Sequence, residues 1–276
     1  MKNVYFDTNV YSHIQNLQHG LTKADVAKLF AKLRADKIRV YLSAAVLEET
    51  ISAILSNEKQ AVRELRLIHR IAKRKKILND YKEILDSIFR SYAKGQSIHS
   101  FYQSPPSFLQ FVLRDPSEGT LANLRSLAQE RQDQIQQRKN TNEQLFAKIW
   151  PLVKVEMKQG QQQTWKDYWN EHATHILETF ADLSGVLEEC KQKGIEPLFD
   201  FTPMKALSVG ILSQGYANTY EKTAINRVDS RDLHHVVYAA AIGTLVTHDS
   251  RFAKVMRREP IPGFRITDLH TLLKEL

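Results

Sequence analysis

Residues 229–252, DSRDLHHVVYAAAIGTLVTHDSRF, constrain the fold most, because helix, strand and carboxylate follow one another in a single run. Leu233, Val236, Val237, Ala240 and Ala241 fall at i, i+3, i+4, i+7 and i+8, the stripe of a helix with one buried face. Gly243 ends the pattern. Residues 244–247, TLVT, then form a short β-branched run of the kind found in buried strands. The chain turns at His248 and Asp249, so Asp249 stands just past the strand. In an open α/β sheet, that is the end at which ligands bind.

The acids of this stretch admit two readings. Asp229 fits an N-cap, and Asp232, three residues on, fits the reciprocal partner of a capping box. Asp232 also borders the core-facing stripe, where an ionised carboxylate is costly unless it is paired or bound to a cation. Capping leaves Asp249 unexplained. Asp232 and Asp249 are therefore taken together as site candidates, with Asp229 as a cap or supporting group.

The N-terminus repeats the motif. Val4-Tyr5-Phe6 is a β-type run broken at once by Asp7-Thr8-Asn9. Thr22 caps a helix carrying Val26, Leu29, Phe30 and Leu33, and residues 38–42, IRVYL, read as the next strand. Ser43 is the N-cap of a helix expected over 44–56, with Glu48 and Glu49 off its apolar face. Taken alone, Asp7 fits a turn former and the two glutamates a solvated helix edge.

From 58 to 225 the pattern is helical. A basic helix is expected over 58–78, with Arg63, Arg66, Arg70, Lys73, Arg74, Lys75 and Lys76 around Val62, Leu65, Ile68 and Ile71. Further helices are expected near Tyr81, over 121–149, over 165–193 and from Thr202-Pro203, the last with its cap and first-turn proline in place. Trp165 and Trp169, one turn apart, fit a seam between helices. The strand-then-carboxylate pattern occurs at both ends of the chain, so residues 1–57 and 226–276 are expected to form one α/β domain. In that domain a parallel sheet is flanked by helices, and 58–225 is an all-helical insertion. Arg265-Ile266 would be the last strand, followed by a closing helix.

Composition narrows the setting. A single cysteine, Cys190, excludes a disulfide framework and points to a reducing, cytoplasmic location. No apolar run is long enough for a membrane span. Lys and Arg number 39 against 31 Asp and Glu, a net charge of +8 that favours a polyanionic partner such as nucleic acid.

Asp7, Glu49 (or Glu48), Asp232 and Asp249 form a candidate set. Acids converging at one sheet edge repel one another unless a hard divalent cation neutralises them, and Mg2+ or Mn2+ suits carboxylate oxygens and water. Zinc is disfavoured by the lack of cysteine ligands or HExxH spacing around His234, His235 and His248. Such an ion generates hydroxide from water and offsets charge on a phosphodiester during in-line displacement. His234 and His235 fit either orientation of water or phosphate, or plain packing. Arg251 fits a phosphate contact or a salt bridge to Asp249.

The segments VYFDTNVYSHI, LSAAVLEETI and DLHHVVYAAAIGTLVTHDSRF resemble the successive acidic motifs of PIN-domain ribonucleases. The resemblance implies a parallel sheet flanked by helices and Mg2+- or Mn2+-dependent hydrolysis of single-stranded or structured RNA. It matches Asp7, Glu49, Asp232 and Asp249 to the metal-holding acids and Thr8, Asn9 and Thr247 to supporting polar groups. Small members of that family include toxins held by an antitoxin, so an inhibitory protein partner and an oligomer are compatible with it. Basic residues Arg70, Lys73, Arg74, Lys75, Lys76 and Arg251 are the candidates for RNA backbone contact. The alternative is a catalytically inactive PIN-like RNA-binding or scaffold protein. A haloacid-dehalogenase-type phosphatase ranks below both, because Asn9 stands where that chemistry needs a second aspartate.

Overall fold

The computed structural model describes residues 1–72, 77–98, 101–103, 121–130, 132, 163–221 and 229–276; the side chains of 102, 103, 218 and 229–232 are outside that description. It is an α/β structure in which β1 (Lys2–Phe6) is the central strand. Val4, Tyr5 and Phe6 are all fully buried, so both faces of β1 are covered, which is the environment of a parallel strand between helical layers.

A left-handed Leu17 ends α1 (Thr8–Asn16), and α2 (Lys23–Arg34) opens on a complete capping box between Thr22 and Asp25. Next, β2 (Ile38–Ser43) pairs parallel with β1, from Lys2 opposite Ile38 to Tyr5 opposite Tyr41. On its other side β1 pairs parallel with β5 (Thr244–Val246), and β5 with β6 (Arg265–Thr267). The chain thus leaves β1 for one side of the sheet and returns on the other. The carboxyl end of β1 lies at that switch point, where open α/β sheets form their binding crevices.

The expectation of an all-helical middle, with a sheet built only from the chain ends, needs correcting. Ile77–Leu78 forms β3, parallel to the end of β2, and Tyr102–Gln103 forms β4, antiparallel at the sheet edge. The full order is β4-β3-β2-β1-β5-β6. Two-residue strands are too short to show alternation, and Ile77 and Leu78, both buried, continue the apolar line of the preceding helix in sequence.

Helix boundaries move for local reasons. The helix expected over 44–56 is α3 (Ala44–Ser52), and α4 (Ile54–Ile71) is kinked at Asn57, whose Oδ1 accepts from the Gln60 amide and so caps a new helical start. After α5 (Tyr81–Lys94), residues 121–130 are helical, and the remainder of 121–149 lies outside the described residues apart from residue 132. The helix expected over 165–193 is two, α6 (Trp165–Leu183) and α7 (Leu187–Gln192), separated at Gly185 with φ +68°. A 3-10 turn, Glu196–Asp200, precedes α8 (Thr202–Tyr220). Thr202 does not cap that helix; its hydroxyl donates to the Pro262 carbonyl at 3.2 Å. The last helices are α9 (Asp229–Ile242), α10 (Ser250–Met256) and α11 (Leu269–Lys274). No helix among the described residues is long and apolar enough to cross a membrane.

One hydrophobic core runs through both the chain ends and the middle. Helix α9 is fixed in it from two sides. Its Tyr238 packs on Tyr5, with ring centroids 5.7 Å apart, and the Tyr238 hydroxyl accepts from the Tyr81 amide at 3.2 Å. Opposite, α8 brings Gly210 so close that a Cβ there would lie 2.5 Å from Leu233 Cδ2. Gly210→Val should therefore push α9 away from α8 and cost about 1–3 kcal/mol, read as a lower midpoint in urea unfolding.

Candidate metal centre

The strands deliver their following residues to one edge. Asp7 leaves β1, its amide held by the Val246 carbonyl at 3.1 Å, and occupies the N-cap of α1. An aspartate at that position ordinarily accepts from the first-turn amides, but Asp7 makes no side-chain cap bond. Instead its Oδ2 accepts from the Thr247 hydroxyl at 3.1 Å, and its Oδ1 lies 4.0 Å from His235 Nε2. From the next strand, Ser43 caps α3 by accepting from the Val46 amide, and Glu49 stands one and a half turns along that helix.

Glu49 completes the cluster. Its Oε2 accepts from the Thr8 hydroxyl at 2.5 Å, while its Oε1 lies 3.6 Å from His235 Nε2 and 3.7 Å from His234 Nε2. One donor atom each from Glu49, His234 and His235 falls within 4.8 Å of the others. Of the two candidate glutamates, Glu49 is the one that meets this group; the Glu48 carbonyl accepts from the Ser52 hydroxyl one turn on.

Charge is distributed unevenly here. Crowding by the protein disfavours ionisation of Glu49, but the ring nitrogens of His234 and then His235 outweigh it and hold the carboxyl well below the ordinary glutamate range. The crowding penalty is limited because 44% of the Glu49 side-chain surface remains open. Burial, and next the neighbouring His235, push His234 down, with Glu49 opposing. Glu49 is thus the ionised partner and His234 the neutral one at pH 7, which leaves His234 with an unprotonated ring nitrogen.

His235 is held from behind. Its Nδ1 lies 2.7 Å from the buried Tyr5 hydroxyl, which lies 2.9 Å from Ser43 Oγ. This chain runs in either direction. If Ser43 donates to Tyr5 and Tyr5 to Nδ1, the proton of His235 sits on Nε2, facing the two carboxylates. If Nδ1–H donates to Tyr5 and Tyr5 to Ser43, Nε2 presents a lone pair to the site.

The other candidates are placed as follows. Asp249 N-caps α10, its Oδ1 accepting from the Phe252 amide at 2.8 Å, while its own amide donates to the Thr247 hydroxyl at 3.0 Å. Thr247 thereby links Asp249 to Asp7. The side chains of Asp229 and Asp232 lie outside the described residues, although both belong to α9. Asn9 is exposed in the first turn of α1, and Arg251 is exposed in α10. Lys73, Arg74, Lys75 and Lys76 also lie outside the described residues. Arg70 stacks its guanidinium 4.6 Å over the Phe30 ring. Trp165 and Trp169 join an aromatic seam with Tyr168 and Tyr216, as a seam between helices requires.

No family model, curated protein or solved structure matches this chain. The chemistry of the site is therefore argued from its own donor set. Sequence reasoning left His234 and His235 undecided and missed Tyr5 and Ser43. The available signal was the adjacent His-His pair next to Asp232 in a run already carrying two site candidates.

A second histidine group borders the cluster. His13, His19 and His248 have ring centroids 4.2, 5.2 and 5.0 Å apart, with His19 in a loop where Leu17 and His19 both take positive φ. Burial, then the charges of His13 and His19, push His248 down to about 4, with Asp268 opposing and His270 adding to the effect. Between about pH 6.5 and 4 the unfolded chain binds a proton at this ring that the folded chain refuses, so stability falls as pH falls through that window. The ring is partly exposed, which reduces the effect. Urea titrations at pH 7 and pH 4 should show wild type losing on the order of 1 kcal/mol more than His248→Asn; equal losses would remove His248 as the cause.

Proposed function

We propose that the chain is a PIN-like, metal-dependent endoribonuclease that hydrolyses RNA phosphodiesters at the carboxylates gathered around the end of β1. The observation that carries this reading is Asp7. It occupies an N-cap without capping, and its carboxylate points with Glu49 toward one ring nitrogen, at 4.0 and 3.6 Å. Two carboxylates from different elements are brought close to a common point, a donor arrangement suited to a divalent cation.

The donor set fits a divalent ion: an ionised Glu49, an Asp7 whose side chain does not cap its helix, and a buried His234 Nε2 facing the Glu49 carboxylate at 3.7 Å. Asp7 and Glu49 would hold it, and Asp232 and Asp249 are the further acids that the resemblance of the motifs assigns to it. A divalent cation held there would supply an activated water and charge neutralisation at the phosphodiester. Thr8 and Thr247 each fix one oxygen of an acid, leaving the other oxygen for the site.

Polyanion binding is supported by charge. A groove of about 460 Å³ is lined by Lys23, Arg63, Arg66 and Arg70, the last stacked on Phe30 at its wall, which gathers cations suited to a phosphate backbone. RNA, rather than DNA, rests on the resemblance of the acidic motifs.

Cleavage of single-stranded RNA by the purified chain with added Mn2+ tests the proposal. Asp7→Asn and Glu49→Gln should each lower the rate by about 100-fold or more while leaving the far-ultraviolet circular dichroism unchanged. Cleavage that survives both substitutions would overturn the assignment, and RNA binding with no cleavage would favour the non-catalytic alternative.

A further inference from the structure

The histidines bear on which ion the site takes. Two donors about 2.1 Å from one ion at the tetrahedral angle stand about 3.4 Å apart. The Glu49–His235, Glu49–His234 and Asp7–His235 separations of 3.6, 3.7 and 4.0 Å exceed that by a few tenths of an ångström, a contraction within the reach of side-chain rotation. His235 has a built support on its far nitrogen in Tyr5 and Ser43, as metal-binding imidazoles commonly do. His234 Nε2 is sealed from solvent and faces the Glu49 carboxylate at 3.7 Å, too long for a hydrogen bond, an arrangement that an ion ligated by both would satisfy.

These donors do not suit magnesium. Mg2+ favours an octahedral shell of oxygens and keeps much of its water, whereas imidazole suits zinc, iron, nickel and copper. Two imidazoles and one glutamate, with a position left open, form a donor set used by zinc hydrolases. The spacing argument against zinc applies to ligands close together in sequence; here α3 supplies the glutamate and α9 the histidines.

We propose that Glu49, His234 and His235 form a site for a borderline transition-metal ion, represented by Zn2+, with Asp7 as an additional oxygen donor, and that the site prefers such an ion to Mg2+. Binding selects the tautomer with the proton of His235 on Nδ1, donated to the Tyr5 hydroxyl, which in turn donates to Ser43, so Nε2 faces the ion with a lone pair. A ring that starts with its proton on Nε2 gives that proton to solvent and takes one up at Nδ1, with no net change in protons bound. The inference deepens the reading of this edge as a metal centre and does not require that RNA be the substrate.

The test is direct ion binding by the full-length protein, without reference to activity. Calorimetric titration should give Zn2+ at least about 100-fold tighter binding than Mg2+, and Co2+ should produce visible d–d absorption. His234→Ala should weaken Zn2+ about 10- to 100-fold or more and change the Co2+ spectrum; Tyr5→Phe should weaken Zn2+ about 10-fold. His248→Asn, in the neighbouring histidine group, should change neither. Circular dichroism monitors folding, and His234→Gln serves if the alanine variant does not fold. Equal affinity for Mg2+ and Zn2+ would overturn the proposal, as would a Zn2+ affinity unmoved by His234 substitution but lost in His248→Asn. The nuclease reading fails separately: Zn2+ held by these ligands with no RNA cleavage under any divalent ion sinks that reading alone. Magnesium-supported cleavage indifferent to His234→Ala sinks the zinc proposal alone.

Discussion

The pairing of β1 with β2 on one side and β5 on the other is the constraint on which the site depends. It joins the first residues of the chain to the last quarter and places the ends of three strands side by side. Because the Asp7 amide is already bonded to the Val246 carbonyl, Asp7 is held at the edge by its backbone. Its carboxylate takes no part in capping α1 and is directed by Thr247. Position is set by the sheet and orientation by one hydroxyl.

The electrostatic balance of the cluster follows from how its members reach it. Glu49 arrives on a helix edge with much of its surface open, so it stays ionised beside two imidazoles. His234 and His235 arrive on α9, which is buried against β1 and α8, and there an unpaired charge is expensive. A charged acid against a neutral His234 is the outcome that minimises buried charge. The Tyr5–Ser43 chain lets His235 adjust its tautomer to whatever faces it without any change in net charge.

The middle of the chain also shapes this edge. Strand β3 extends the sheet beyond β2, Tyr81 bonds Tyr238 at the back of α9, and Gly210 lets α8 approach Leu233, the residue next to His234. The helix bearing the histidines is thus wedged between elements from 58–225 and the central strand. Its packing is a condition of the cluster's geometry, far from the acids in sequence.

Much of the framework was legible in the residues. The run Val4-Tyr5-Phe6 followed by Asp7, the Thr22 cap, the Ser43 cap and the 229–252 stretch each carry a local signal, because caps, periodicity and β-branched runs act over a few residues. Those signals determined strands at both ends, the α/β class and the candidacy of Asp7 and Glu49. Tertiary structure decided the rest. Strands of two residues carry no period, so β3 and β4 were hidden. The choice of Glu49 over Glu48 depends on which helix face meets Thr8. The joining of Glu49 to His234 and His235, and of His235 to Tyr5 and Ser43, is a matter of contacts across up to 230 residues of chain, which no local pattern encodes.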